Sequence, residues 1–388
     1  ATRTHVYASA GTYAVKIYTP ENVTAFDLRD KAAVSVLNSA DLKGMVNIST
    51  FYLYNLPSAT ITLNSADWVD WRPGIFYLYN LTSATITLNS ADMVDWRPSN
   101  FYLITLPSAS ITLNSADMVD WRVSGAFQLY GLPSASITLN SADMVDWRPS
   151  SFILYNLTST TITLNSSDMV DWRPSTFNLY NLTNATGTLN SADMVDWRVS
   201  GTFYLISLPS AAITLNSADL VGWRPSAFQL HNLPSASITL NSANMVDWRP
   251  GNFYIVNLPS ASITLNSADM VDWRPGTFYL YSLPNASITI APSTIKNWSG
   301  VTTLDLRVGN LTQQQCDLVL WECYQIARTA TSGTIRLDIA GNAAPSGTFQ
   351  PCQSPPVSSS TPGKEIAYEL LNDSLGVGFN KWNTVSTN

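Results

Sequence analysis

The amino-acid sequence predicts a right-handed β-solenoid of about eleven coils, mainly β with short helices and closed by an α/β C-terminal cap. The first observation is a segment of 25 or 26 residues that recurs along most of the 388-residue chain. The second is an alternation of apolar and polar residues with period two, which is typical of short strands. A fixed period of about 20–50 residues indicates a solenoid, and crossovers between parallel strands are right-handed. Tryptophans mark the register at Trp71, Trp96, Trp121, Trp147, Trp172, Trp197, Trp223, Trp248, Trp273 and Trp298.

Each repeat predicts two short strands and one helical turn. In the copy that begins at Phe51, the first strand places Phe51 and Leu53 inward and its tyrosines outward. A second strand over residues 59–63 follows a turn and has the same alternation. Residues 64–71 then predict one helical or 3₁₀ turn, with Ser65 as its N-cap and residues 68 and 71 inward.

Stacking the coils brings identical residues into columns about 4.8 Å apart. The apolar columns predict a continuous core. We expect each side-chain amide of the asparagine column to bond the turn backbone of the next coil, the alternative being a solvated turn asparagine. The predicted structural ladders include Asn64, Asn89, Asn114, Asn140, Trp96, Trp121, Trp147, Asp95 and Arg97.

The charge lies on one edge of the predicted solenoid. Only 12% of the residues are charged and the net charge is −7, which argues against nucleic-acid binding. One aspartate column, exemplified by Asp67, stands four residues before the repeat tryptophan and would serve the helix N-terminus. A second column, exemplified by Asp95, would pair with the arginine column, and the arginine could belong to the adjacent coil. Calcium bridging the carboxylates is the competing hypothesis, and no cofactor is expected.

The outward tyrosines of the first strands are the main candidate binding surface. Tyrosine presents a broad amphipathic area at low entropy cost and is enriched at interfaces. The alternative is that the tyrosine pairs only stabilise a sheet. This tyrosine face comprises Tyr52, Tyr54, Tyr77, Tyr79, Tyr102, Tyr130, Tyr155, Tyr180, Tyr204, Tyr254, Tyr279 and Tyr281.

Other candidate chemistry is weaker. The second strands carry an outward Thr/Ser-x-Thr ladder, as at Thr60 and Thr62, which makes ice binding a minor hypothesis. Histidine occurs at His5 and His231, and His231 replaces a tyrosine in an outward column. The sequence contains no catalytic or phosphate-binding motif, so we expect no enzymatic activity.

The ends of the chain depart from the repeat. We divide the chain into a β segment with linker over 1–25, the solenoid over 26–298 and the cap over 299–388. The cap predicts strands over 301–306 and 334–339, one long helix over 311–326, and a tail from residue 365 that ends in a hairpin or strand. The helix carries Cys316 and Cys323 on one face, as buried thiols or with one bridged to Cys352.

The C-terminal segment resembles a known family. Leu304-Asp-Leu306, Asn310-Leu-Thr-Gln and Gly333-Thr-Ile-Arg-Leu-Asp-Ile339-Ala-Gly-Asn-Ala-Ala-Pro-Ser346 resemble the end of BspA-like leucine-rich-repeat surface proteins of bacteria and phages. The segment 5–15 looks like the last strand of a PKD-like β-sandwich. The central repeat differs from the usual leucine-rich consensus in its Trp-Arg corner and extra Ser/Thr strand. The resemblance implies a solenoid whose sheet face binds ligands.

These observations favour an extracellular, non-enzymatic protein for recognition or adhesion, binding protein or glycan through the tyrosine face. The expected location is the cell surface or a virion surface. The alternative is a structural subunit of a virion or filament, in which the same face or the coil ends contact other copies. No apolar run reaches the ~18 residues of a transmembrane helix.

Overall fold

The fold is a stack of coils, each contributing one strand to a long parallel sheet. The computed structural model describes residues 20–30, 34–56, 59–157, 160–258, 261–265, 269, 273–283, 287–298, 300–326, 334–337, 342–354, 356–372 and 384–387. The segment 5–15, interpreted above as a PKD-like strand, lies outside these residues. No helix in the described part is long and apolar enough to cross a bilayer.

The structure follows the predicted alternation within a coil. In the second coil, the first strand buries Phe51 and Leu53 and leaves its tyrosines half-exposed. The second strand buries Ile61 and Leu63 in the same way. A 3₁₀ turn of three or four residues follows, one per coil from Ser39–Asp41 to Ser242–Asn244.

The first strands of the coils form a single 14-stranded parallel sheet, the first sheet. Phe51 pairs with Phe76 and Leu53 with Leu78, so neighbouring coils are in register. The strands are β1 Ala25–Arg29, β2 Val36–Asn38, β3 Thr50–Tyr54, β4 Thr60–Asn64, β5 Ile75–Tyr79, β6 Thr85–Asn89, β7 Asn100–Ile104, β8 Ser110–Asn114, β9 Ala126–Tyr130, β10 Ser136–Asn140, β11 Ser151–Tyr155, β12 Thr160–Thr163, β13 Thr176–Tyr180, β14 Ala185–Thr186, β15 Thr188–Asn190, β16 Thr202–Ile206, β17 Ala212–Asn216, β18 Ala227–His231, β19 Ala236–Asn241, β20 Asn252–Val256, β21 Ala261–Leu265, β22 Thr277–Tyr281, β23 Ser287–Ile290, β24 Thr303–Asp305, β25 Thr334–Arg336 and β26 Thr384–Ser386.

The second strands form two sheets, one of seven strands and one of five. The division falls at Gly187, which stands where other coils place an inward isoleucine. Gly187 has a φ of +117°, and a Cβ added there would lie 2.2 Å from the backbone oxygen of Leu164. The chain therefore moves inward where the isoleucine is missing, and the sheet ends at β14 and resumes at β15.

The core is built from aromatic and aliphatic columns. Phe51 stacks on Phe76 with ring centroids 5.4 Å apart, and Phe76 meets Trp96 at 5.1 Å. The repeat tryptophans are fully buried and stack in turn, Trp96 and Trp121 being 6.4 Å apart. Burying one large apolar side chain stabilises the fold by roughly 1.5–3 kcal/mol. The core therefore runs unbroken through the stack.

The cap continues the first sheet and covers the last coil with helices. Strands β24, β25 and β26 extend the sheet, and helix α1 spans Gln313–Ile326. A second helix, α2 over Gly363–Asn372, packs against α1. The sequence prediction of one helix was wrong here, because the Pro/Gly/Ser-rich loop before it hides the helix start.

Buried polar groups tie the cap to the last coil. Glu322 on α1 is 1% exposed and accepts hydrogen bonds from the backbone N–H groups of Ser293, Ile295 and Lys296. It thereby satisfies the free donors of the last 3₁₀ turn, Ile295–Asn297. Burial raises the pKa of Glu322, while these hydrogen bonds and Lys296 oppose the shift.

The three cysteines of the cap, Cys316, Cys323 and Cys352, are buried free thiols. Of the two predicted alternatives, the structure contains the unbridged one. The Cys316 thiol donates to the Ala343 carbonyl oxygen at 3.3 Å.

Candidate functional site

The tyrosine face is the outward side of the first sheet. Its tyrosines occupy alternate positions of strands whose other positions are fully buried. Tyr52 pairs with Tyr77 and Tyr54 with Tyr79 in strict register. The parallel ladder therefore holds the rings at one coil spacing, and the backbone beneath them is covered on its inner side by the core.

The structure gathers the first five tyrosines into one cluster. Tyr54 and Tyr79 stack with centroids 4.6 Å apart. Tyr52 and Tyr77 are 5.3 Å apart and Tyr77 and Tyr102 4.9 Å apart, both pairs tilted. Burial is the main cause that raises the pKa of Tyr77 and of Tyr102. Their phenols stay protonated at neutral pH and can both donate and accept hydrogen bonds.

Three further tyrosines form a second cluster. Tyr130, Tyr155 and Tyr180 stack face to face, with both centroid distances 4.3 Å. The pKa of Tyr155 is raised, first by burial and then by the two neighbouring phenols. Such a row presents ring edges and phenol hydroxyls to the outside, and the stacking orders the rings before any ligand arrives.

The last tyrosines lie toward the cap. Tyr254 and Tyr279 are 4.6 Å apart. The guanidinium of Arg307 lies over the ring of Tyr281 at 4.4 Å, a cation–π contact. Tyr204 pairs with Asn178 and Gln229 rather than with tyrosines. Burial raises the pKa of Tyr204. All twelve predicted tyrosines thus share one face, but in separate clusters.

Smaller residues separate these clusters. The column of Tyr180 continues through Ile206, His231 and Val256 before Tyr281. His231 is half-buried, and burial lowers its pKa, which keeps the imidazole neutral at physiological pH. The structure places His231 between apolar neighbours of the sheet. The face is therefore less periodic than the repeat suggests.

With one exception, the described asparagines of the column cap the turn of their own coil. Asn64 is the N-cap of the 3₁₀ turn, and its side-chain oxygen accepts a hydrogen bond from the Ala66 N–H at 3.2 Å. Asn89, Asn114 and Asn140 cap their turns in the same way, so the N-cap role predicted for Ser65 was wrong. The exception is Asn165, whose side-chain oxygen accepts the Thr188 N–H of the next coil at 3.2 Å, as we expected of the whole column.

The serine beside it joins neighbouring coils instead. Ser90 is fully buried; its hydroxyl accepts the backbone N–H of Asn114 at 2.9 Å and donates to Asp117 at 2.6 Å. The same pattern links Ser65 to Asp92. The first aspartate column therefore accepts a hydrogen bond from a buried hydroxyl of the preceding coil. Its members also lie in the first turn of their 3₁₀ segments, as predicted.

The second aspartate column pairs with arginines of the preceding coil. Arg72 lies 2.9 Å from Asp95 and Arg97 3.8 Å from Asp120. The side chains are about half exposed, so each pair stabilises the fold by at most about 1 kcal/mol. In the described part of the chain, no three acidic, histidine or cysteine side chains converge as a metal site.

The outward threonines of the second strands are staggered. Leu63 pairs with Ile86 and Thr62 with Thr85, two positions from strict register. The stagger recurs in the second strands up to β21, as Leu139 with Ile162 shows, whereas β21 and β23 pair in strict register. Two aligned rows of hydroxyls would suit an ice lattice, but this stagger offsets them from coil to coil. We therefore do not propose ice binding.

One polar ladder was not predicted from the sequence. After each first strand the chain turns through a residue with φ near +50°, often asparagine, which tolerates this conformation. Asn80 donates to Asn55 at 2.9 Å and Asn181 to Asn156 at 2.9 Å. Their recurrence at one coil spacing was the signal available in the sequence. The ladder borders a shallow groove of about 510 Å³ that prolines also line.

No family model matches this chain, and no curated protein is similar to it in sequence. Among solved structures it is similar to an internalin of Listeria monocytogenes, at 14% identity over 83% of this chain and 82% of that one, with a TM-score of 0.45. A leucine-rich-repeat protein of Leptospira interrogans is 12% identical over 82% and 86%, with a TM-score of 0.46. A plant peptide hormone receptor in complex with RGF2 is 10% identical over 77% and 57%, with a TM-score of 0.38.

The geometry itself defines the class of fold. Every coil contributes one in-register parallel strand, the coil strands from β3 to β22 each bury two apolar positions, and a cap with helices closes the sheet. The chain is a leucine-rich-repeat-like solenoid, and its coils carry a second strand before the 3₁₀ turn.

Proposed function

We propose that this protein is an extracellular, non-enzymatic recognition or adhesion protein that binds a protein or glycan through its tyrosine face. The observation that carries the proposal is the set of half-exposed tyrosines on one outward face, stacked in clusters on a rigid sheet. The solenoid neighbours named above are an internalin, a bacterial leucine-rich-repeat protein and a plant peptide hormone receptor in complex with RGF2. Their likeness concerns the fold alone.

The stacking gives the surface its physical advantage. A free tyrosine loses rotamer freedom when a ligand immobilises it, which weakens binding. The rings of Tyr130, Tyr155 and Tyr180 are already held against one another at 4.3 Å. The ligand therefore meets an ordered row of ring edges and phenol hydroxyls. Both a sugar and an apolar peptide side chain can pack against such edges, and the hydroxyls can hydrogen-bond a polar ligand.

The test compares matched changes on the two outward faces. One variant carries Tyr79→Thr and Tyr155→Thr on the tyrosine face; the control carries Thr87→Ala and Thr138→Ala on the second strands. Binding is measured on an immobilised glycan panel and on labelled cell-surface protein. We expect the tyrosine variant to lose at least tenfold in affinity for whichever probe the wild type binds, and the control to keep it.

The structural alternative predicts a different result. A virion or filament subunit that assembles through the tyrosine face would form particles in electron microscopy, and the tyrosine variant would disperse them without any bound ligand. That outcome, or equal loss of affinity in both variants, would contradict recognition through this face.

A further inference from the structure

The strongest unexplained feature is a row of exposed valines in the turns that bury the repeat tryptophans. From the second coil to the ninth, one valine per coil stands at the tip of the turn after the 3₁₀ segment, and these side chains are 43–51% exposed. They make up eight of the twelve large exposed hydrophobic side chains of the described residues. This valine stripe comprises Val69, Val94, Val119, Val145, Val170, Val195, Val221 and Val246.

Neither solvation nor the local backbone explains valine at this position. Val69 lies inside the turn closed by the bond from the Trp71 N–H to the Trp68 carbonyl oxygen. Val119 has φ −58° and ψ −30°, a helical conformation that β-branched residues favour less than strands. Turn tips usually carry polar residues. A valine that recurs in eight successive coils against both preferences indicates contact with a partner.

The columns beside the stripe have different charges. In chain order the first aspartate column, such as Asp67, precedes the valines, and no arginine or lysine pairs with its described members through Asp219. The arginines and second aspartates, such as Arg72 and Asp95, follow the valines and nearly neutralise each other. One side of the stripe is therefore strongly acidic, whereas the other presents guanidinium groups.

We propose that a second copy of this chain packs on the valine stripe, side by side, parallel and with matched coils. Only a stack with the same spacing meets every valine in the stripe, and another copy of this chain has that spacing. A two-fold axis along the stack sets the acidic column of one copy against the arginine column of the other. Antiparallel packing would set the two acidic columns against each other, which is unfavourable.

The size of the stripe sets the expected strength. Seven steps of about 4.8 Å make it about 34 Å long. With a width of roughly 15 Å, two such strips bury on the order of 1,000 Å² in total, the low end of specific interfaces. The association is therefore reversible, and the tyrosine face stays free on both copies. The proposal is independent of the ligand proposed for that face.

Sedimentation velocity on the full chain tests the interface. The stripe variant carries Val94→Thr, Val145→Thr and Val195→Thr, which keep the β-branched shape. The control makes two apolar-to-threonine changes on the tyrosine face, Ile153→Thr and Val256→Thr. We expect the wild type and control to associate with rising concentration, and the stripe variant to associate at least tenfold more weakly with unchanged circular dichroism. A wild type that is monomeric up to about 1 mM, or an unaffected stripe variant, would overturn the proposal.

Cross-linking tests the orientation. The centre of the stripe lies between Val145 and Val170, so Val94 and Val221 are symmetric about it. In parallel packing Val94→Cys faces itself and forms a homodimeric disulfide under mild oxidation. In antiparallel packing Val94→Cys forms a disulfide only when mixed with Val221→Cys. The first result supports the proposal and the second refutes it.

Discussion

At the scale of single residues, buried hydroxyls join each coil to the next. The Ser90 hydroxyl accepts a hydrogen bond from the Asn114 N–H and donates one to the Asp117 carboxylate. One side chain therefore satisfies two groups of the following coil. A natural substitution in the ninth coil follows the same pattern. Where Asn244 replaces the aspartate, Ser217 donates to the Asn241 carbonyl oxygen and accepts from the Asn244 amide.

Replacing this serine should weaken the stack. We expect Ser90→Ala to lower the free energy of unfolding by about 1–3 kcal/mol, because it leaves the Asn114 N–H and the Asp117 carboxylate without their partner. Chemical denaturation followed by fluorescence measures the loss. Ala91→Ser, exposed on the same turn, is the matched control. A serine variant as stable as this control would refute the joining role.

The cysteines of the cap should be inert in the native protein. Burial raises the pKa of the Cys316 thiol to about 11 and moves that of Cys323 well above its ordinary value. The thiolate is the reactive form. We therefore expect neither residue to be labelled by iodoacetamide at pH 8 until denaturant is added, as followed by peptide mass spectrometry. Rapid labelling of either residue without denaturant would contradict the buried arrangement.

At the scale of secondary-structure elements, the cap depends on how α1 meets the last 3₁₀ turn. The helix presents Glu322 to three backbone N–H groups that no further coil satisfies. A buried carboxylate is costly to ionise, and the raised pKa of Glu322 expresses that cost.

This geometry predicts a pH dependence of the cap. Because the pKa of Glu322 is higher in the folded state, its stabilising contribution is complete below the ordinary glutamate pKa. It is lost as the pH rises through the folded-state pKa. Glu322→Gln keeps an acceptor but does not titrate, so the melting temperature of the wild type should fall relative to this variant as the pH rises from about 4. Parallel pH profiles would refute this; Glu21→Gln, exposed at the other end, is the control.

The sequence predicted the strands and turns far better than it predicted which residues of neighbouring coils pair. Alternation placed Phe51 and Leu53 inward because a strand has a period of two. The same pattern contains no information on the stagger between second strands of neighbouring coils. It therefore could not show that Thr62 pairs with Thr85. It also missed α2 and the valines, whose exposure at the tip of a turn depends on the burial of the residues on either side, such as Met118 and Trp121.

At the scale of the whole molecule, the stack is held by contacts between neighbouring coils. Paired strands such as β3 and β5 belong to consecutive coils, and the second strands likewise. Stability of such arrays is nearly a sum of coil and neighbour terms. A whole coil can therefore be removed without exposing a new surface.

This property predicts that deletion of residues 72–96 yields a folded protein. The deletion joins Trp71 to Arg97, the pair that every repeat already has in sequence. We expect a cooperative thermal transition and a circular dichroism spectrum per residue like that of the wild type. Deletion of residues 72–83, about half a coil, should abolish the transition because it breaks the register. Unfolding of the first variant would contradict the additive picture.

The sequence by itself determined the period, the inward columns and the class of fold, because these follow from local alternation repeated at a fixed spacing. Only the tertiary structure decided what each polar side chain bonds. Asn64 caps its own turn, whereas Ser65 reaches Asp92 of the next coil. The physical reason is that such bonds depend on the stagger and rotation between stacked coils. Residues about 25 positions apart meet only after stacking, and the repeat length does not specify their relative orientation.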